Sequence, residues 1–122
     1  MHRLIQHNAA EVRRLHARVH ATRAHRDEGP AARESWGQAA GEFRGRYDAL
    51  AFPGGLTTGL QRLSVGGPDA IEAALSFLEV RPYFFRSQYI ATKLRRLLRR
   101  LALSGNQAER RRHVLDPVRQ TA

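Results

Sequence analysis

The chain has 122 residues, a net charge of +10 and no cysteine. That length suits one domain with a modest core, and the missing cysteine excludes disulfides, thiolate metal sites and cysteine nucleophiles. Apolar residues make up 42% of the chain, which is a globular rather than a disordered profile. No apolar run reaches the roughly 20 residues that span a bilayer. The opening residues lack a secretory apolar segment, so the expected location is a reducing cytoplasm.

Arginine supplies 20 of the 21 basic residues, and Lys93 is the only lysine. G+C-rich coding accounts for that preference, so the excess of base over acid is the more informative quantity. Residues 1–26 carry six arginines and one acid, and residues 27–92 carry six arginines and eight acids. Residues 93–122 carry Lys93, eight arginines and two acids. Basic ends around a near-neutral middle point to an anionic partner.

The spacing predicts a first helix over 3–26. Ile5, Val12 and Val19 share one heptad position, while Asn8, Leu15 and Thr22 share the other, which is half of a coiled-coil pattern. Asp27, Glu28, Gly29 and Pro30 break the chain. A second helix is expected from about Ala31 to Leu50, with Trp36, Ala40, Phe43, Tyr47 and Leu50 along one seam. The short break favours an antiparallel hairpin. Its expected seam is Val12, Leu15 and Val19 against Trp36, Phe43 and Tyr47.

Phe52, Pro53, Gly54 and Gly55 end that helix. Leu56, Leu60 and Leu63 then mark a short third one. Pro68, Asp69 and Glu72 form the start of a fourth, with proline at the first position and acids where the helix dipole favours them. Its apolar face is Ile71, Ala74, Leu75 and Leu78, and Pro82 stops it. The fifth carries the stripe Ile90, Leu94, Leu97, Leu98 and Leu101. Ser104 followed by Gln107 resembles a capping box opening a last short helix to about Leu115, ended by Asp116 and Pro117. The last five residues are expected to fray.

Chemical motifs are sparse. His16 and His20 stand four apart, a spacing that can serve a metal. They lack the flanking acids of a metal site, and boundary histidines packed on Trp36 or Tyr47 are the plainer reading. His2, His7, His25 and His113 are expected in solvent. Glu34, Glu42, Asp48, Asp69, Glu72 and Glu79 stand among many arginines and are expected to form surface ion pairs. The serines lack a nucleophile context, and neither Gly54-Gly55 nor Gly66-Gly67 continues as a phosphate loop. Gly37, Gly41 and Gly45 lie in one row on the second helix. Drift in an Ala/Gly-rich chain is favoured there over a packing groove.

The back of the fifth helix is the main candidate surface. Arg95, Arg96, Arg99 and Arg100 lie opposite its leucine stripe, and a helical projection places Phe85 and Tyr89 on the same basic side. Arg110, Arg111 and Arg112 follow on the next helix. Guanidinium groups on phosphate with rings on bases are the means of a nucleic-acid surface. The competing reading packs Phe85 and Tyr89 on the second or fourth helix. A basic amphipathic helix lying on an anionic membrane ranks lower, because its leucines are needed for the core.

The expected protein is therefore an all-α domain, a small bundle of five to six helices with a long N-terminal antiparallel hairpin. The hairpin spans 3–50, a helical cluster 53–103, and a short helix with a basic tail 104–122. The expected function is non-enzymatic, with no metal, cofactor or catalytic residue. It is binding of nucleic acid through Arg95, Arg96, Arg99, Arg100, Arg110, Arg111, Arg112 and Tyr89. The alternative is a protein-interaction or scaffold module that uses the hairpin, to self-associate or to meet an acidic protein.

Overall fold

A computed structural model describes residues 1–115. It contains six helices: α1 His2–Arg23, α2 Pro30–Ala51, α3 Leu56–Ser64, α4 Pro68–Val80, α5 Ser87–Arg99 and α6 Gly105–Leu115. No strand occurs among the described residues. The stop expected at Asp116 and Pro117, and the expected fraying beyond it, lie outside them.

Helix α1 ends three residues earlier than its periodicity suggests. The His25 and Arg26 amides donate to the carbonyls of Thr22 and Arg23, three residues back, which tightens the last turn. Gly29 then adopts φ 154°, a conformation that favours glycine, and Pro30 opens α2. The two helices pair antiparallel. Arg26 lies over the Trp36 ring at 5.7 Å, Arg18 donates to Glu42 at 2.7 Å, and Arg46 donates to Glu11 at 3.3 Å.

The seam differs from the expected one on its aromatic side. Val12 and Leu15 are buried, but Trp36, Phe43 and Tyr47 are only half-buried, and Ala39 is the residue of α2 enclosed between the helices. Two helices alone cannot surround a large ring. Phe43 and Tyr47 gain a roof from the segment after α4, whereas Trp36 meets no other ring among the described residues and lies under Arg26.

Helix α4 is the centre of the fold. Ala70, Ile71 and every residue from Ala73 to Leu78 are buried, so it is apolar on nearly all sides, as a central helix must be. The first half of α1 and helices α3, α5 and α6 pack around it. Ile5, Ala9 and Val12 from α1, Leu63 from α3, Ile90, Leu94 and Leu98 from α5 and Val114 from α6 complete the core. Phe52 sits in that core 6.0 Å from the Phe77 ring and lies directly over Gly59 of α3.

Three polar devices hold elements in place. Asp48 accepts from the Thr57 amide at 3.0 Å and its hydroxyl at 2.7 Å, capping α3 from α2. The Ser87 hydroxyl accepts from the Phe84 amide while the Ser87 amide donates to the Phe84 carbonyl, closing the start of α5. The segment from Arg81 to Arg86 is clamped to the hairpin. Arg13 donates to the Tyr83 carbonyl and the Tyr47 hydroxyl to the Phe85 carbonyl, each at 2.6 Å. Arg81 and Arg86 bracket this segment with φ 55° and 66°, each costing about 1 kcal/mol for a residue with a Cβ.

Candidate functional site

The helical rise sets the geometry of the α5 surface. Ser87, Ile90, Ala91, Leu94 and Leu98 face the core. On the outside, Tyr89, Lys93, Arg96 and Arg100 form one row at spacings of four, three and four residues, spanning about 16 Å. Gln88, Thr92, Arg95 and Arg99 form a parallel row. No acidic residue occurs between Glu79 and Glu109, so nothing within this stretch neutralises the rows.

The eight expected site residues divide into two groups. Arg96, Arg99 and Arg100 are exposed and Arg95 is half-buried, and none makes an ion pair or hydrogen bond among the described residues. Tyr89 is 64% exposed, with the Lys93 ammonium 5.8 Å from its ring centre, a cation–π contact. Lys93 thus joins the surface. Its place in the row with Tyr89 was readable from the four-residue spacing.

Arg110, Arg111 and Arg112 do not extend that surface. Arg110 donates from Nη1 to Glu72 at 2.7 Å and grips Glu79 with two parallel bonds, from Nε at 3.0 Å and Nη2 at 2.7 Å. Its side chain is only 22% exposed. This grip raises the Arg110 pKa and holds the Glu79 carboxyl below its usual value, against the opposing effect of burial. Arg111 donates to the carbonyls of Leu98 and Leu101 at 2.8 and 2.5 Å, satisfying the open end of α5. Arg112 pairs with Glu109 on its own helix. Arg110 and Arg111 lock α6 onto α4 and α5, because α4 presents Glu72 and Glu79, and the end of α5 its carbonyls, on the side that α6 covers.

Phe85 also leaves the arginine rows. Helix α5 begins at Ser87, and the left-handed Arg86 turns the chain, so a helical projection does not reach residue 85. The Phe85 ring instead stacks on His16 at 4.9 Å and approaches Phe43 at 5.9 Å and Tyr47 at 6.2 Å. His16 therefore packs on Phe85 and Phe43 rather than on Trp36 or Tyr47, and it meets the His20 ring edge-on at 4.5 Å. Burial, and secondarily the neighbouring His20, lower the His16 pKa below its usual 6.5. No cluster of three or more metal-ligating side chains occurs among the described residues.

Of the six carboxylates expected in surface ion pairs, Glu42, Glu72 and Glu79 form them among the described residues. Glu11 is held by Arg14 and Arg46, and Glu42 by Arg18 and Arg46. Asp48 caps α3 instead, and Glu34 and Asp69 form no ion pair among the described residues. The glycine row on α2 faces open space: a Cβ at Gly37, Gly41 or Gly45 meets nothing within 4 Å.

No helix among the described residues is long and apolar enough to cross a membrane. The fold and surface define a six-helix domain with one strongly cationic outer helix. Compared with protein-family models, characterised proteins and solved structures, the chain matches none.

Proposed function

We propose that this protein is a non-enzymatic binding module for nucleic acid, using the outer face of α5. The observation that carries this reading is the concentration on one helix of cations that form no ion pair among the described residues. Arg14, Arg18, Arg33, Arg46, Arg110 and Arg112 are spent on internal ion pairs, and Arg13, Arg26 and Arg111 donate to carbonyls. Arg3, Arg23, Arg44 and Arg62 are scattered over three helices. On α5 and its cap, Lys93, Arg95, Arg96, Arg99 and Arg100 share one face. An acidic protein would satisfy the charge, but the exposed Tyr89 ring beside Lys93 favours a partner with stackable bases.

Binding of labelled single-stranded and duplex DNA and RNA, measured by anisotropy against salt, tests the reading. Affinity should fall steeply with salt as counterions are released. Replacing Arg95, Arg96, Arg99 and Arg100 together by Gln keeps helix propensity nearly constant. It should preserve the circular dichroism spectrum and flatten the duplex salt slope by about one unit per lost contact. Tyr89→Ala should weaken single-strand binding by about 1–3 kcal/mol without loss of fold, because the ring is outside the core. Absence of binding to any of the four at about 50 mM salt rejects the proposal.

A further inference from the structure

Between α1 and the clamped 81–86 segment lies a second basic surface, a cleft of about 510 Å³. Arg13, His16, His20, Tyr83, Phe85 and Arg86 line it. No acid is among its described lining residues. The acids of the two hairpin helices nearest the salt-bridged seam, Glu11 and Glu42, are held by Arg14, Arg18 and Arg46. The charged or titratable groups that line the cleft beside the histidine pair are Arg13 from α1 and Tyr83 and Arg86 from the segment. From α2, the Tyr47 hydroxyl is committed to the Phe85 carbonyl.

Two features distinguish the cleft from an ordinary crease. First, Tyr83 has its carbonyl fixed by Arg13 while its ring is 77% exposed and meets no other ring among the described residues. A ring on an anchored backbone loses little freedom when a planar ligand stacks on it. Second, the segment that presents it begins and ends in left-handed arginines, an arrangement held by the surrounding clamps and of the kind that accumulates at ligand sites. Beside it, the His16 and His20 rings touch edge-on, and neither makes a hydrogen bond among the described residues.

We propose that this cleft binds a nucleotide, its phosphate held by His16, His20, Arg13 and Arg86 and its base laid on the Tyr83 ring. The site uses none of the α5 face residues and stands independently of the reading above. A bound phosphate favours the His16 imidazolium, so nucleotide binding takes up a proton and strengthens as pH falls. The lowered basicity of free His16 leaves room for that uptake. The nucleotide is either free or the 5′ end of a strand; both present the same phosphate and base.

Calorimetric titration of the full chain with AMP, adenosine and inorganic phosphate, at pH about 7.5 and about 6, tests the site. His20→Gln, Arg86→Gln and Tyr83→Ala are the informative variants, because all three side chains are exposed and circular dichroism should be unchanged. AMP should saturate, more tightly at the lower pH, with adenosine and phosphate each about tenfold weaker. His20→Gln and Arg86→Gln should weaken AMP about fivefold or more, and Tyr83→Ala should bring AMP close to phosphate. Displacement of AMP by a 5′-phosphorylated oligothymidylate assigns the cleft to strand ends, and failure to displace assigns it to free nucleotide. The variant with Gln at 95, 96, 99 and 100 should keep its AMP affinity even where strand binding is lost. The proposal is overturned if AMP fails to saturate by about 5 mM, if phosphate binds as well as AMP, or if binding survives all three substitutions. Loss of AMP binding in the α5 variant also overturns it.

Discussion

Arginine is the residue on which this protein turns, and its meaning depends on what faces it. Arg110 and Arg96 are alike in sequence context, each beside another arginine on a basic helix. Arg110 meets two carboxylates and a buried serine; Arg96 meets solvent. Arg110→Ala should therefore destabilise the fold by about 2 kcal/mol, between an exposed ion pair and a buried one that loses a partner. It should leave α5-mediated strand binding at its original salt slope. Denaturant titration and anisotropy on the same variant check both halves, and a fall in strand affinity with unchanged stability would return Arg110 to the binding surface. Phe43 makes a similar point in the core. Its ring is half-buried against His16, Tyr47 and Phe85, so Phe43→Ala should cost about 2 kcal/mol, below the roughly 3–5 of a fully enclosed ring.

At the scale of elements, the same substitution has opposite signs on two helices. Gly41 on α2 is exposed, and a methyl group there meets nothing. Gly41→Ala should stabilise the protein by up to about 1 kcal/mol through helix propensity and a less flexible unfolded chain. Gly59 on α3 lies beneath Phe52, whose ring carbons stand 2.4 and 2.7 Å from a Cβ at that position. Phe52 is enclosed and packed on Phe77, so it cannot yield freely. Gly59→Ala should destabilise by about 1–3 kcal/mol, the usual result of overpacking. Thermal unfolding of the two variants side by side reads the contrast, and stabilisation in both would mean that α3 does not cross Phe52 as described. Helix starts and stops were readable from sequence wherever proline or glycine sets them, as at Pro30 and Pro68. The end of α1 was not, because it depends on turn bonds that leave no mark on composition.

For the whole molecule, acidification should act in two stages. The folded His16 pKa lies below its usual 6.5, so only the unfolded chain takes a proton as pH first falls through that value. Stability is thus full above about pH 6.5 and declines below it until the folded residue also protonates. Glu79 and Glu11 have folded pKa values below the usual 4.5. Their contribution is present above about pH 4.5 and is lost as pH falls through the depressed folded values. Urea midpoints measured from pH about 7.5 to about 3 should show both declines. His16→Phe should remove the upper decline and keep the lower one. An upper decline that persists in this variant would assign it to another histidine.

The all-helical class, a count of five to six helices and the cationic back of α5 were determined by sequence alone. Each rests on a local property: a 3.6-residue apolar period, a proline or glycine at a boundary, and the absence of acids opposite a leucine stripe. The burial of α4 on nearly all sides went beyond the single apolar face that its spacing marked. The half-buried aromatic seam, the cap that Asp48 lends to α3, the grip of Glu72 and Glu79 on Arg110, and the stacking of Phe85 on His16 were decided by tertiary structure. These pairs are separated by 9 to 69 residues in the chain, and periodicity describes which side of a helix a residue occupies but not what stands across from it. That is why seven arginines read from the sequence as one basic region, while folding ties Arg110 and Arg111 to neighbouring helices, pairs Arg112 within α6 and leaves the four on α5 and its cap without an ion pair among the described residues.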